Sequence, residues 1–160
     1  MNLTRFLSFR WLRTRATKAA AWERRFGEGR IALREGRALD TLQSWEGALR
    51  EAEGFGPDDP RLGATLSSLA RLYALEGRPA QAEGVLRRAL ALKEASLGPR
   101  HPDLATILDD LAAALRAQGR EDEAAAHRAR ALTILEERIG PDFAELSESL
   151  RRAGITKVDD

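Results

Sequence analysis

The chain has 160 residues, 26 basic against 25 acidic side chains, and no cysteine. That length suits one domain with a buried core, the near-zero net charge points to no partner in bulk, and the lack of cysteine excludes disulfides, thiolate catalysis and cysteine-held metal. No run of about 20 apolar residues is present, so no helix is expected to span a membrane, and a cytoplasmic location is the expectation.

Residues 1–22 carry Arg5, Arg10, Arg13, Arg15 and Lys18 without one acid, interleaved with Leu3, Phe6, Leu7, Phe9, Trp11 and Leu12. A secretory signal needs an uninterrupted apolar core of about 7–15 residues; Arg10 and Arg13 break it, and secretion is rejected. Residues 1–18 therefore form a basic amphipathic segment with three open readings. Its aromatic side (Phe6, Phe9, Trp11) can cap the first structural unit, it can lie on an anionic membrane or a partner, or it can be disordered. Five basic residues with no reader motif do not argue for nucleic acid.

Two units of 42 residues follow further on, 56–97 and 98–139, matching at 14 of 42 positions without a gap. Gly56-Pro57, Gly98-Pro99 and Gly140-Pro141 mark the period, and self-similarity at such a period signals stacked supersecondary units. Each unit reads as two antiparallel helices. Pro60 and Pro102 suit the first helical position. Leu62, Leu66, Leu69, Ala70 and Tyr73, then Leu104, Leu108, Leu111, Ala112 and Leu115, follow at helical spacing. Gly77 and Gly119 fit the left-handed residue that closes a helix. The second helices carry Ala82, Val85, Leu86, Ala89 and Leu90, then Ala124, His127, Ala131, Leu132 and Leu135.

Residues 19–55 read as a degenerate first copy, with Gly36-Arg37 in the place of Gly77-Arg78 and Trp45 in that of Leu86. Its first helix fits poorly, since Arg25 and Glu28 fall where Leu66 and Leu69 lie. After Gly140-Pro141, Asp142 and Glu145 resemble a capping box, with Phe143, Leu146 and Leu150 spaced to pack on the preceding unit. Residues 142–153 are thus expected to be a closing helix, and residues 155–160 a tail.

Ala64-Thr65-Leu66-Ser67-Ser68-Leu69-Ala70, Gly77-Arg78, Ala82-Glu83, Arg88-Ala89-Leu90 and Leu97-Gly98-Pro99-Arg100-His101-Pro102 together resemble the tetratricopeptide repeat, in the longer variety of the kinesin light chain family. The resemblance is strong from residue 56 to 140. It implies an all-α, right-handed helical-hairpin solenoid, here with N- and C-terminal capping helices around a repeat domain spanning 19–154. It also implies a non-catalytic protein-interaction scaffold with a concave groove built from the first helices of the pairs. Carried over by register, the groove positions are Arg30 with Phe26 and Arg34 in the first copy. The second copy supplies Ala64, Ser67, Ser68, Arg71 and Leu75, and the third Thr106, Asp109, Asp110, Ala113 and Arg116. The closing helix adds Arg151 and Arg152. The positions after Leu66 and Leu108, typically asparagines in that family, are Ser-Ser and Asp-Asp here; ionised aspartate only accepts hydrogen bonds.

Little in the chain suggests chemistry. His101 and His127 stand 26 residues apart with no cysteine, which is no zinc spacing. Asp109 and Asp110 are helix neighbours and do not converge on one atom. Gly27-x-Gly29 is too short for a phosphate loop. No enzyme activity, cofactor or metal is expected. The arginines suit carboxylates or phosphates, so the expected partner is a protein or peptide with acidic residues and a basic one for the aspartates. Peripheral membrane contact through residues 1–18 is the alternative, and self-association is open because two full copies leave much apolar helix surface to cover.

Overall fold

A computed structural model describes residues 3–57 and 59–139, with side chains from residue 14 to residue 137. Six helices follow in order: α1 (Leu3–Arg34), α2 (Ala38–Glu53), α3 (Pro60–Leu75), α4 (Pro79–Leu97), α5 (Leu104–Arg116) and α6 (Glu121–Ile139). They pack as three consecutive hairpins, α1–α2, α3–α4 and α5–α6, stacked so that each second helix also touches the next first helix. The described residues contain no strand. The expected closing helix 142–153, with Arg151, Arg152 and the capping pair, lies outside the described residues.

The three hairpins share one turn. At Gly36, Gly77 and Gly119 the backbone takes φ of +72, +65 and +75°, a region that costs glycine nothing because it has no Cβ. The following arginine amides reach back to Ala32, Tyr73 and Leu115 carbonyls at 2.9, 2.8 and 3.0 Å, while the glycine amides bond Leu33, Ala74 and Arg116. These paired bonds satisfy carbonyls that a helix end would otherwise leave bare. Gly36-Arg37 does so as fully as the other two, so the first copy is degenerate in its helix faces but not in its turn.

The core is leucine and alanine between hairpins. Leu66, Leu69, Leu104, Leu108, Leu111 and Leu115 are 0–1% exposed, each worth about 2–3 kcal/mol of apolar burial. Ala82, Ala89, Ala124 and Ala131 are also buried, and small residues there bring the paired helices close. In the first hairpin the same space is filled differently. Trp45 is buried over Gly29, where an added Cβ would stand 2.4 Å from the indole. Its ring continues a stack from Trp22 through Phe26, with centroids 4.8 and 5.9 Å apart. The Trp45 indole N–H donates to the Phe26 carbonyl at 3.2 Å, and that of Trp22 to the buried Thr65 hydroxyl at 2.9 Å, tying the first hairpin to the second.

Four expectations need correcting. No break falls at residue 18: α1 runs unbroken from Leu3 to Arg34, so residues 3–18 are its amino-terminal half and not a separate helix folded over the stack. The α2 partner is half as long, 16 residues against 32. The excess reaches past the hairpin, where the Lys18 ammonium lies against Gly54 and Arg15 stands 3.9 Å from Asp59. The side chains of Phe6, Phe9 and Trp11 lie outside the described ones. Secondly, Pro60 does open α3, with Asp59 accepting from the Arg61 amide, but α5 begins two residues after Pro102, because His101 Nδ1 accepts from the Asp103 amide and holds a turn there. Thirdly, Leu132 is 52% exposed and Ile134 takes the buried place on α6. Fourthly, Phe26 is not a groove residue but the middle ring of the aromatic stack.

Candidate functional site

The first helices α1, α3 and α5 place exposed side chains at the positions that resemblance assigns to the groove. Arg30, Arg71, Asp109, Asp110 and Arg116 are all exposed, as is Ser67, while Ser68 is half-buried. The Ser68 hydroxyl donates to the Ala64 carbonyl one turn back at 2.9 Å, which leaves it an acceptor for anything approaching. Arg151 lies outside the described residues.

Two of these side chains converge on a single feature. Between α3 and α5 opens a cleft of about 190 Å³. Alanines 70, 74, 113, 114 and 117 form most of its wall, and Ala82 and Leu86 of α4 its floor. Arg71 stands on one lip and Asp110 on the other. Alanine repeated on both helices explains the space, since larger side chains at those positions would fill it. Crowding at the mouth strips water from Asp110, and with Asp109 beside it this raises the Asp110 pKa; the positive charge of Arg71 pulls the other way. Ser67 belongs elsewhere, to a cleft of about 280 Å³ at the far end of the α3–α4 hairpin, beside Lys93 and Ser96.

The arginines divide into two classes, which sequence reading did not separate. On the turns and second helices most are tied to acids. Arg120 chelates Glu123 and reaches Glu83 at 2.7 Å, Arg88 meets Glu53 at 2.6 Å, and Arg130 meets Glu94 at 2.6 Å. The last two are the same cross-hairpin bond one repeat apart. Glu83 is the densest of these nodes. Gln118, Arg87 and Arg120 all donate to it and hold its carboxyl at about 2 despite partial burial. By contrast Arg30, Arg71 and Arg116, all on first helices, make no ion pair among the described residues. The signal for the bound class was available in the sequence as Glu-to-Arg separations of 35 to 37 residues, but only a known hairpin packing makes such separations meaningful.

Nothing in the described residues assembles a catalytic constellation. Among the described residues no group of three or more His, Asp or Glu side chains is placed to hold a metal. His127 is half-buried on α6, where burial and the nearby Arg87 and Arg130 lower its pKa and favour the neutral ring. No described helix is long and apolar enough to cross a membrane.

The tetratricopeptide repeat family model matches residues 19–95 and 86–137. Among solved structures, the crystal structure of BtubC (BKLC) from P. vanneervenii is similar with a TM-score of 0.65 and 21% sequence identity. The match covers 72% of this chain and 47% of that one, so this chain spans about half the length of that protein. At that identity the likeness concerns the fold. Comparison with curated proteins finds no match.

Proposed function

The chain belongs to the tetratricopeptide repeat family, whose repeats generally mediate protein–protein interactions, and from that premise we propose that it is a non-catalytic adaptor holding a peptide segment in the groove of α1, α3 and α5. The carrying observation is that Arg30, Arg71 and Arg116 make no ion pair among the described residues, with Arg71 lining the α3–α5 cleft together with Asp110. On the second helices Arg88 and Arg130 instead pair with acids of the preceding hairpin. Leaving these three without an acid adds nothing to stability and keeps their planar, five-donor heads available for carboxylates. Asp109 and Asp110 supply the complementary charge for a basic residue of the same segment. An exposed ion pair would have contributed little in any case, so the position of these cations matters more than any pairing energy they forgo.

The test is affinity capture from native cell extract with wild type and with an Arg71→Glu, Arg116→Glu double variant. Loss of one or more specific proteins, with helical circular dichroism unchanged, is the expected result. Retention of every captured protein by the double variant would sink the groove reading.

A second reading rests on α1. Its amino-terminal half extends beyond its partner helix and belongs to a stretch with five basic residues and no acid, the composition of a helix that settles on an anionic surface. Flotation with phosphatidylserine vesicles, with and without residues 1–13, decides it: equal failure of both forms to float ends the membrane reading.

A further inference from the structure

We propose that the cleft inside the α3–α4 hairpin is a small-molecule site for an aryl carboxylate, with the ring between the two helices and the carboxylate on the Lys93 ammonium. The cleft measures about 280 Å³, at the lower edge of the roughly 300–1,000 Å³ of small-ligand pockets. Leu66, Ala89 and Leu92 give it an apolar lining, Ser67 and Ser96 contribute hydroxyls, and Lys93 brings the cation.

The other two hairpins close the same space, each in its own way. One repeat later, Gly63, Leu92 and Lys93 become Ala105, Ile134 and Leu135. Ala105 and Ile134 are buried there, and Leu135 packs on the core. One repeat earlier, Gly63, Ser67 and Lys93 correspond to Trp22, Phe26 and Ala52. Those two rings stack at 4.8 Å, and Trp22 packs against the cluster that holds Ala52. In the second hairpin the space stays open, and packing does not require it. A Cβ on Gly63 would meet nothing nearer than the Lys93 stem, 3.8 Å away, which is ordinary contact. Glycine inside a helix weakens it relative to alanine, and an unfilled cleft forgoes dispersion contacts that the neighbouring hairpins make. Gly63 thus keeps room for a group that the hairpin itself does not supply. The first hairpin shows the shape that suits this space, a flat ring.

The charges at the cleft select an anion. Lys93 and Asp59 are the charged side chains among its described lining residues. Asp59 is committed within the fold: it accepts from the Arg61 amide at 3.1 Å and from the Arg61 guanidinium at 2.9 and 3.1 Å. Lys93 is held more loosely, 3.7 Å from the exposed Asp103 carboxylate, beyond hydrogen-bond distance. An ammonium has three protons to donate, so a ligand carboxylate can take a short, charge-assisted bond there without displacing Asp103. The site stands apart from the groove reading, since none of Arg30, Arg71 and Arg116 lines it.

Titration of the full chain with phenylacetate, followed by the NMR signals of the backbone amides, tests the site. Saturable shifts are expected at Gly63, Ser67 and Ser96, with a dissociation constant on the order of 1 mM for so small a ligand. The neutral phenylacetamide is expected to bind about fivefold more weakly, because it lacks the charge for Lys93. Lys93→Leu, which installs the side chain of the third hairpin, should erase that difference. Ser67→Phe, which installs that of the first, should abolish binding of both compounds with helical circular dichroism unchanged. No saturable shift in the wild type, equal affinity for acid and amide, or binding that survives Ser67→Phe overturns the site. Shifts confined to the amides of Arg30, Arg71 and Arg116 do the same. Should Ser67→Phe fail to fold, Lys93→Leu at its half-exposed position still decides, since retained discrimination between acid and amide overturns the role of Lys93. Partner capture that survives reversal of Arg71 and Arg116 would end the groove reading and leave this site standing.

Discussion

At Gly29 the absence of one carbon atom decides how the first hairpin is filled. The Trp45 indole occupies the space a Cβ would take, 2.4 Å away, so Gly29→Ala is expected to destabilise the fold by about 1–3 kcal/mol through overpacking. Trp45→Leu alone costs a comparable amount through the void it leaves. The pair touches directly, so the double variant should cost less than the sum of the two; strictly additive urea midpoints would show that the contact does not limit packing. Glu83 offers a second handle. Its carboxyl is held at about 2 by Gln118, Arg87 and Arg120, below its value in an unfolded chain, so its contribution is present above the unfolded pKa and disappears as pH falls through about 2. Stability should decline from about pH 4.5 downward. Glu83→Gln should flatten that decline, while costing about 1–3 kcal/mol at neutral pH. An unchanged acid limb in the variant would relocate the effect to other carboxylates.

The first hairpin shows why an element can depart from its own repeat and still be well made. Arg25 and Glu28 replace the leucines that Leu66 and Leu69 represent one repeat later, and the structure explains the departure by position. Leu66 and Leu69 are buried against the hairpin before them, whereas no described hairpin precedes α1. Glu28 is accordingly exposed, and the Arg25 stem lies over Gly47, whose Cβ would come 2.6 Å from the guanidinium. A polar outer face of this kind leaves little apolar surface on that side of the first hairpin to be covered. Restoring the repeat with Arg25→Leu, Glu28→Leu, beside the already exposed Ile31, should expose an adhesive end. Sedimentation velocity is expected to show concentration-dependent association of that variant beyond whatever the wild type displays. No difference would mean the polar pair has no role in keeping this end apart.

For the molecule as a whole, the stacked hairpins separate two kinds of charge. Arginines on the second helices bridge neighbouring repeats, as in Glu53–Arg88 and Glu94–Arg130, while Arg30, Arg71 and Arg116 on the first helices make no ion pair among the described residues. Charge reversal on the two classes should therefore diverge. Arg88→Glu with Arg130→Glu is expected to lower the melting temperature by a few degrees, corresponding to about 1 kcal/mol, and to leave partner capture intact. Arg71→Glu with Arg116→Glu should do the opposite. Equal loss of stability from both pairs would erase the distinction.

The repeat period, the Gly-Arg turns and the leucine positions were legible in the 160 residues because each is a local rule. A left-handed glycine, a proline near a helix start and apolar spacing of three and four act within a few residues of chain. They determined the helical hairpins. What the tertiary structure alone decided is everything that depends on which hairpin lies beside which. That includes the aromatic stack of Trp22, Phe26 and Trp45, the run of α1 through residue 18, the exposed Leu132 with Ile134 buried in its stead, and the division of arginines into bound and free. Those features arise from contacts between residues 19 to 43 positions apart and from where each hairpin sits in the stack. A single chain read in order carries no distance information at that range.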